Sequence, residues 1–170
     1  MIPATGPIQM SQVLSELGRP QGSLISLNDP QCRLLAHAPS GPVTLGDMAG
    51  AILFSISPIA QTPLAGYATS VGYLSGNSAI SPTTVKSGRN ISRVTFECNP
   101  GVQTLRFQIF GSTLDDNWNG LCIGGKRYYR VDAVAAVSGG ITKVATYTWP
   151  AEAVSAPSFT AGVATQFSLW

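Results

Sequence analysis

Three times within its first fifty residues the chain repeats one short pattern: β-branched, polar, long apolar, small polar, then Gln or Asp. The copies are "IQMSQ" at 8–12, "ISLND" at 25–29 and "VTLGD" at 43–47. In each, the apolar pair (Ile8 with Met10, Ile25 with Leu27, Val43 with Leu45) shares one side of an extended stretch. A short helical run follows each copy. Ser11 is placed to cap the first and Gly18 to end it, with "QVLSEL" between them, and Glu16 falls too late for a capping box. In the second, Asn28 is the expected cap, and Pro30 takes an early helical position where its missing N–H does no harm. "QCRLLAHA" continues this run until Pro39-Ser40-Gly41 stops it. In the third, Gly46 stands at the cap and Gly50 weakens "DMAGAIL". Helices this short are unstable alone in water. Residues 1–54 are therefore predicted to be a short-helix docking module, stabilised by the rest of the chain or by a neighbouring subunit. An ordinary small helical subdomain is the plainer alternative.

From about residue 66 the alternation becomes that of strands. "ISRVTFEC" and "QTLRFQIFG" flank an Asn-Pro-Gly turn, and in the second run Leu105, Phe107 and Ile109 share a face. "KRYYRVDAVAAV" and "ITKVATYTW" flank "SGG" at 138–140, a hairpin signal. "GLCIGGK", "GVATQFSLW" and part of "GYATSVGYLSG" add further strands, giving six to eight in about a hundred residues. The predicted fold is mainly β with a small α N-terminal module: an antiparallel β-sandwich over 67–170, preceded by short helices, with a linker at 55–66 where Pro58, Pro63 and Gly66 cluster.

Composition narrows the function. A chain of 170 residues can bury roughly 70% of its unfolded surface and needs no staples. Only 11% of residues are charged and the net charge is +2, with the densest basic cluster at Lys126, Arg127 and Arg130. Nucleic acid needs denser clustering, so it is not expected as a partner. A sparsely charged surface suits a protein covered by neighbours. No run reaches the ~18 apolar residues of a membrane span, so no membrane insertion is expected, and "MIPATGPIQM" lacks the marks of a secretory signal. Cys32, Cys98 and Cys122 are odd in number with no CxxC pair, which argues for free thiols over disulfides or zinc.

Candidate chemistry is thin. "GLCIGGK" has a P-loop outline, but Arg127 follows the lysine where Ser or Thr is required, and no helix follows. Asp115, Asp116 and Asn117 lack calcium-loop spacing and read as a solvated loop. His37, the single histidine, reads as a helix-end or surface residue with no motif-marked partner. No catalytic, cofactor-binding or metal site is assigned, and no enzymatic activity is expected. The aromatics Tyr128, Tyr129, Tyr147, Trp149, Phe167 and Trp170 are read as core first and as a binding groove second. Trp170 is expected to be tied down, within the fold or against a neighbour.

Two segments carry a family resemblance. "PIQMSQVLSELG", "LISLNDPQCRLLAHAPSG" and "PVTLGDMAG", over about 7–51, resemble an N-terminal module of tailed-bacteriophage structural proteins, in which I-S-L-S-D, V-R-x-L-A and S-G-x-I-S-L-S-D-L runs recur in that order. This chain departs from the pattern at Cys32, at His37 and in its shortened third copy. "GNSAISPTTVKSGRNISRV", "FQIFG", "LCIGGKRYYR", "TYTWP" and "FTAGVATQFSLW", over about 72–170, resemble a β domain common at the C-terminus of phage virion proteins. The resemblance implies a virion structural protein (tail, neck/collar or fibre-attachment) that acts by subunit assembly as a homo-oligomer. Its partners would be other virion proteins of the tail, portal/neck or capsid, and its location the virion, after assembly in the bacterial host cytoplasm. The alternatives are a receptor- or glycan-binding module of a phage fibre, which would bind a host surface receptor, and a capsid decoration protein.

Overall fold

The alternation in the sequence becomes two packed sheets. A computed structural model of the chain describes residues 2–38, 40–85, 88–99, 102–111, 118–150, 154 and 159–170. Two helices come first, α1 (Met10–Glu16) and α2 (Pro30–Leu35), then a 3₁₀ turn at Gly46–Met48. The strands are β1 (Ile52–Ile56), β2 (Ile59–Gln61), β3 (Thr69–Leu74), β4 (Ile80–Ser81), β5 (Asn90–Asn99), β6 (Val102–Gly111), β7 (Gly120–Ile123), β8 (Lys126–Tyr129), β9 (Val134–Ser138), β10 (Lys143–Trp149) and β11 (Thr165–Leu169). A second 3₁₀ turn, Arg130–Asp132, joins β8 to β9. The first sheet runs β4-β1-β11-β7-β8 and the second β2-β3-β5-β6-β10-β9, all in antiparallel pairing. This is the mainly β sandwich preceded by short helices that the sequence predicts. No described helix is long and apolar enough to cross a membrane.

Alternate residues send side chains to opposite faces, and that rule builds three layers. Along β1, Ile52, Phe54 and Ile56 enter the core between the sheets, where they meet Val94, Phe96 and Phe107 of the second sheet. Phe167 and Leu169 of β11 point the same way, and Phe54 stacks on Phe167 at 5.0 Å. Leu53, between the inward residues of β1, belongs instead to a second core. That core holds Val13 of α1, Cys32 and Leu35 of α2, and Met48, and all six apolar residues of the repeated pattern pack against it. The three copies thus form one layer, docked in cis on the outer face of the first sheet.

Several local expectations change. The N-cap of α1 is Gln9, whose N–H donates to Gln12 Oε1 at 2.8 Å, and Ser11 lies inside the helix. Asp29, not Asn28, caps α2, because Pro30 at N1 fixes the cap one residue back; its carboxylate accepts from Gln31 N at 3.0 Å. Asn28 accepts from Arg33 instead. The third copy makes only the 3₁₀ turn before Gly50, at φ 70°, turns the chain into β1. The expected joint at 55–66 holds the end of β1 and all of β2: Ser55 takes an exposed place in the alternation and Pro58 falls between the strands. Among the described residues nine strands, β3 to β11, lie beyond residue 66, against the six to eight expected. The run 126–137 is split, with β8 in the first sheet and β9 in the second. The Asn-Pro-Gly turn after β5 lies partly outside the described residues, but Asn99 pairs with Val102 as a tight hairpin requires.

Phe54 is fully buried beside Phe167 in the strand that both cores share. Phe54→Ala is expected to destabilise the chain by about 3–5 kcal/mol, read as a fall in the urea midpoint; a change under about 1 kcal/mol would contradict this packing.

Candidate functional site

The junction between the module and the first sheet gathers most of the unusual side chains. Both helices end in the same closure. After α1, Gly18 at φ 65° donates to Ser15 O (3.1 Å) and Arg19 N donates to Leu14 O (2.9 Å). After α2, His37 takes the glycine's place at φ 54°, donating to Leu34 O (3.1 Å), with Ala38 N donating to Arg33 O (3.0 Å). It is the one described non-glycine residue with positive φ, a conformation that costs about 1–2 kcal/mol. Tertiary contacts hold it there. The imidazole stacks on Trp170 at 4.1 Å, Nδ1 lies 3.1 Å from Ser168 Oγ, and Arg127 Nε donates to the His37 carbonyl. His37 stands at the helix end, as expected from its place in the sequence, but it is buried there and not on the surface.

Ser168 settles which nitrogen carries the proton. Its single hydroxyl hydrogen goes to Leu34 O, so Oγ accepts from Nδ1–H and Nε2 is the bare nitrogen. Nε2 is buried with no hydrogen-bond partner among the described residues. Burial first, and the nearby Arg127 guanidinium second, push the imidazole down to about 3, while the Leu34 carbonyl and the Asp47 carboxylate oppose them. A serine beside a histidine suggests nucleophilic catalysis, but this pair is not arranged for it. Ser168 is fully buried, its proton is engaged on a carbonyl, and an imidazole held near 3 is a poor base at neutral pH.

Further polar contacts tie the layers together. Gln31 Nε2 donates to Gln166 Oε1 of β11 at 2.9 Å, and the backbone N–H of Leu53 donates to Glu16 Oε1 at 2.9 Å. Shallow cavities lie at the junction and at the edge of the first sheet beside it. One of about 300 Å³ lies between α2 and the β7–β8 turn, lined by Leu34, Cys122 and Gln166 among others. Burial pushes the Cys122 thiol up to about 11, so it stays protonated. A second, of about 230 Å³, is lined by Ala36, His37, Asp47, Arg127, Tyr129 and Trp170. The third, of about 480 Å³, lies across Tyr129 against Trp118, Asn119, Arg130 and Val131.

The residues singled out from the sequence are dispersed. "GLCIGGK" is β7, a turn with Gly124 and Gly125 both at positive φ, and the start of β8; no helix N-terminus stands there to receive phosphate. Lys126 lies over the Tyr128 ring, Arg130 over Trp118 and Tyr147, and Arg127 on the His37 carbonyl. Asp115, Asp116 and Asn117 lie outside the described residues. No group of three metal-ligating side chains is found among the described residues. Tyr128, Tyr147, Trp149 and Phe167 are core, whereas Tyr129 is 42% exposed and sets its ring edge-on to Trp170 at 6.0 Å. Trp170 is tied down within the chain: its N–H donates to Gly120 O, and its carbonyl accepts from Asn119 N.

A second feature went unnoticed in the sequence. All five residues of β9 are exposed. Val134 is 67% exposed and Val137 56%, with Val131 and Ile141 beyond the two ends at 90% and 95%. The signal was present: "VAAV" carries no charge and "KRYYRVDAVAAV" does not alternate cleanly. The fold and these surfaces together define a β-sandwich with a docked helical module and one uncovered apolar edge. No family model, curated protein or solved structure matches the chain.

Junction chemistry sets a pH dependence. Unfolded, His37 takes up a proton near pH 6.5; folded, only near pH 3. The contribution is therefore complete above pH 6.5 and is lost as pH falls through this window, by up to about 5 kcal/mol in all. Urea midpoints of the wild type measured between these values are expected to fall more steeply than those of His37→Asn; parallel slopes would show that His37 does not titrate this way.

Proposed function

We propose that this chain is a structural component of a tailed-phage virion, a tail, neck/collar or fibre-attachment protein, that acts by subunit assembly. The ordered motifs at 7–51 and 72–170 support membership of that class. The apolar edge supports assembly and carries the reading: Val134 and Val137 are exposed on the two faces of β9, the border strand of the second sheet, with Val131 and Ile141 exposed beyond its ends. An uncharged edge strand with apolar side chains exposed on both faces is open to pairing with another chain. The module's apolar side is already buried in cis against the first sheet, which leaves the β9 edge as the exposed strand surface of the sandwich. Sedimentation velocity of the purified chain over a range of concentrations is expected to give a defined oligomer. A monomer at every concentration would overturn assembly through its own copies.

A second reading, a receptor- or glycan-binding module, is favoured by Tyr129. Its exposed ring stands between two cavities, and Asp47 and Arg127 border one of them. A ring face beside a carboxylate and a guanidinium suits a saccharide, whose C–H face stacks while its hydroxyls bond. Titration of the chain with a panel of oligosaccharides, followed by tryptophan fluorescence, is expected on this reading to show saturable binding that Tyr129→Ala abolishes. No binding across the panel removes it.

A further inference from the structure

Among the described residues the two sheets have four edges, and three are blunted. β4 is two residues long and followed by Pro82. β2 is three residues long between Pro58 and Pro63. β8 carries Lys126 and Arg127. Shortness, proline and charge are the devices by which edge strands avoid pairing with strangers. β9 has none of them. It pairs with β10 without a bulge, Val134 with Thr148 through Ser138 with Val144, so its other side presents a regular row of unpaired backbone groups. Both of its faces are exposed, which leaves room for a second sandwich on the far side.

We infer that β9 pairs antiparallel with β9 of a second copy, across a two-fold axis at Ala136. This rests on the assembly reading and names its contact. The axis normal to an antiparallel pair must pass between two copies of one residue, because partners point to the same face. Centring it on Ala136 is the one register in which all five residues of β9 find partners: Val134 with Ser138, Ala135 with Val137, Ala136 with itself. Val131, in the 3₁₀ turn before β9, and Ile141, in the loop after it, lie beyond opposite ends of the strand, so antiparallel pairing brings the Val131 end of one copy to the Ile141 end of the other; these are the two most exposed apolar side chains at this border. Charge agrees. Asp132 precedes β9 and Lys143 lies across from its far end; both are exposed, and neither has an ion-pair partner among the described residues. Antiparallel pairing brings the Asp132 end of one copy to the Lys143 end of the other, twice. Each sheet of six strands would continue into its neighbour's, and the exposed edge would vanish.

Because all the positions concerned are exposed, substitutions there leave the monomer fold intact, checked by circular dichroism. Val131→Asp is expected to weaken the dimer by about tenfold or more, read by sedimentation, and adding Ile141→Lys is expected to restore it. Within one chain the two positions stand at opposite ends of a five-residue strand, about 17 Å long, so rescue must act between copies. Ala136→Cys is expected to form a disulfide-linked dimer under a mild added oxidant, since directly opposed residues lie within disulfide reach; the wild type, with Cys32, Cys98 and Cys122, is the control. An oligomer indifferent to Val131→Asp, with no linkage at Ala136→Cys, would overturn the β9 contact and leave the assembly reading standing. A wild-type monomer with no linkage at Ala136→Cys would overturn both.

Discussion

The architecture hangs on the pairing of β1 with β11. Five residues of each, Ile52 to Ile56 and Thr165 to Leu169, lie opposite one another in the middle of the first sheet. No local signal links them, and closing so long a loop costs entropy that only the packing on either side can offset. That packing is supplied twice. Ile52, Phe54, Phe167 and Leu169 face the second sheet; Leu53 faces the module, together with the polar Gln166 and Ser168. A strand pair buried on both faces is the reason a module of very short helices can persist: its apolar side has a surface to rest on, and that surface has no other cover.

The module is aligned as well as buried. Apolar contact is non-directional, whereas Glu16 on the Leu53 N–H, Gln31 on Gln166 and Leu34 O on Ser168 each accept one geometry. His37 shows the same economy of position. Its left-handed backbone ends α2 in the closure that Gly18 provides for α1, while its ring fills the gap against Trp170. A glycine would relieve the backbone and lose the ring. The imidazole is retained neutral in a place where charge is disfavoured, so one residue carries backbone strain, packing and a proton-binding equilibrium together.

β9 differs from the other three described edges, which are short, proline-flanked or charged. Along β1, β6, β10 and β11 most apolar residues find a facing layer. β9 projects beyond the sandwich, with neither face covered and nothing to discourage pairing.

Sequence by itself determined the elements whose information is local. Period-two runs at 91–98 and 103–111 became β5 and β6, Gly124-Gly125 became a hairpin turn, and the three apolar pairs of the repeat found one core. Caps shifted by one or two residues because several polar side chains compete for the same backbone groups, and Pro30 decided the second case. Only the tertiary structure decided the rest. Ser55 looks like part of a linker until Gln166 of β11 is opposite it. His37 looks like a surface residue until Trp170 and Ser168 close over it. Tyr128 and Tyr129 are indistinguishable in sequence, yet one lies in the core and the other stands between two cavities. Burial and exposure depend on which distant strands arrive, and a pairing such as Ile52 with Leu169 is a property of the whole fold.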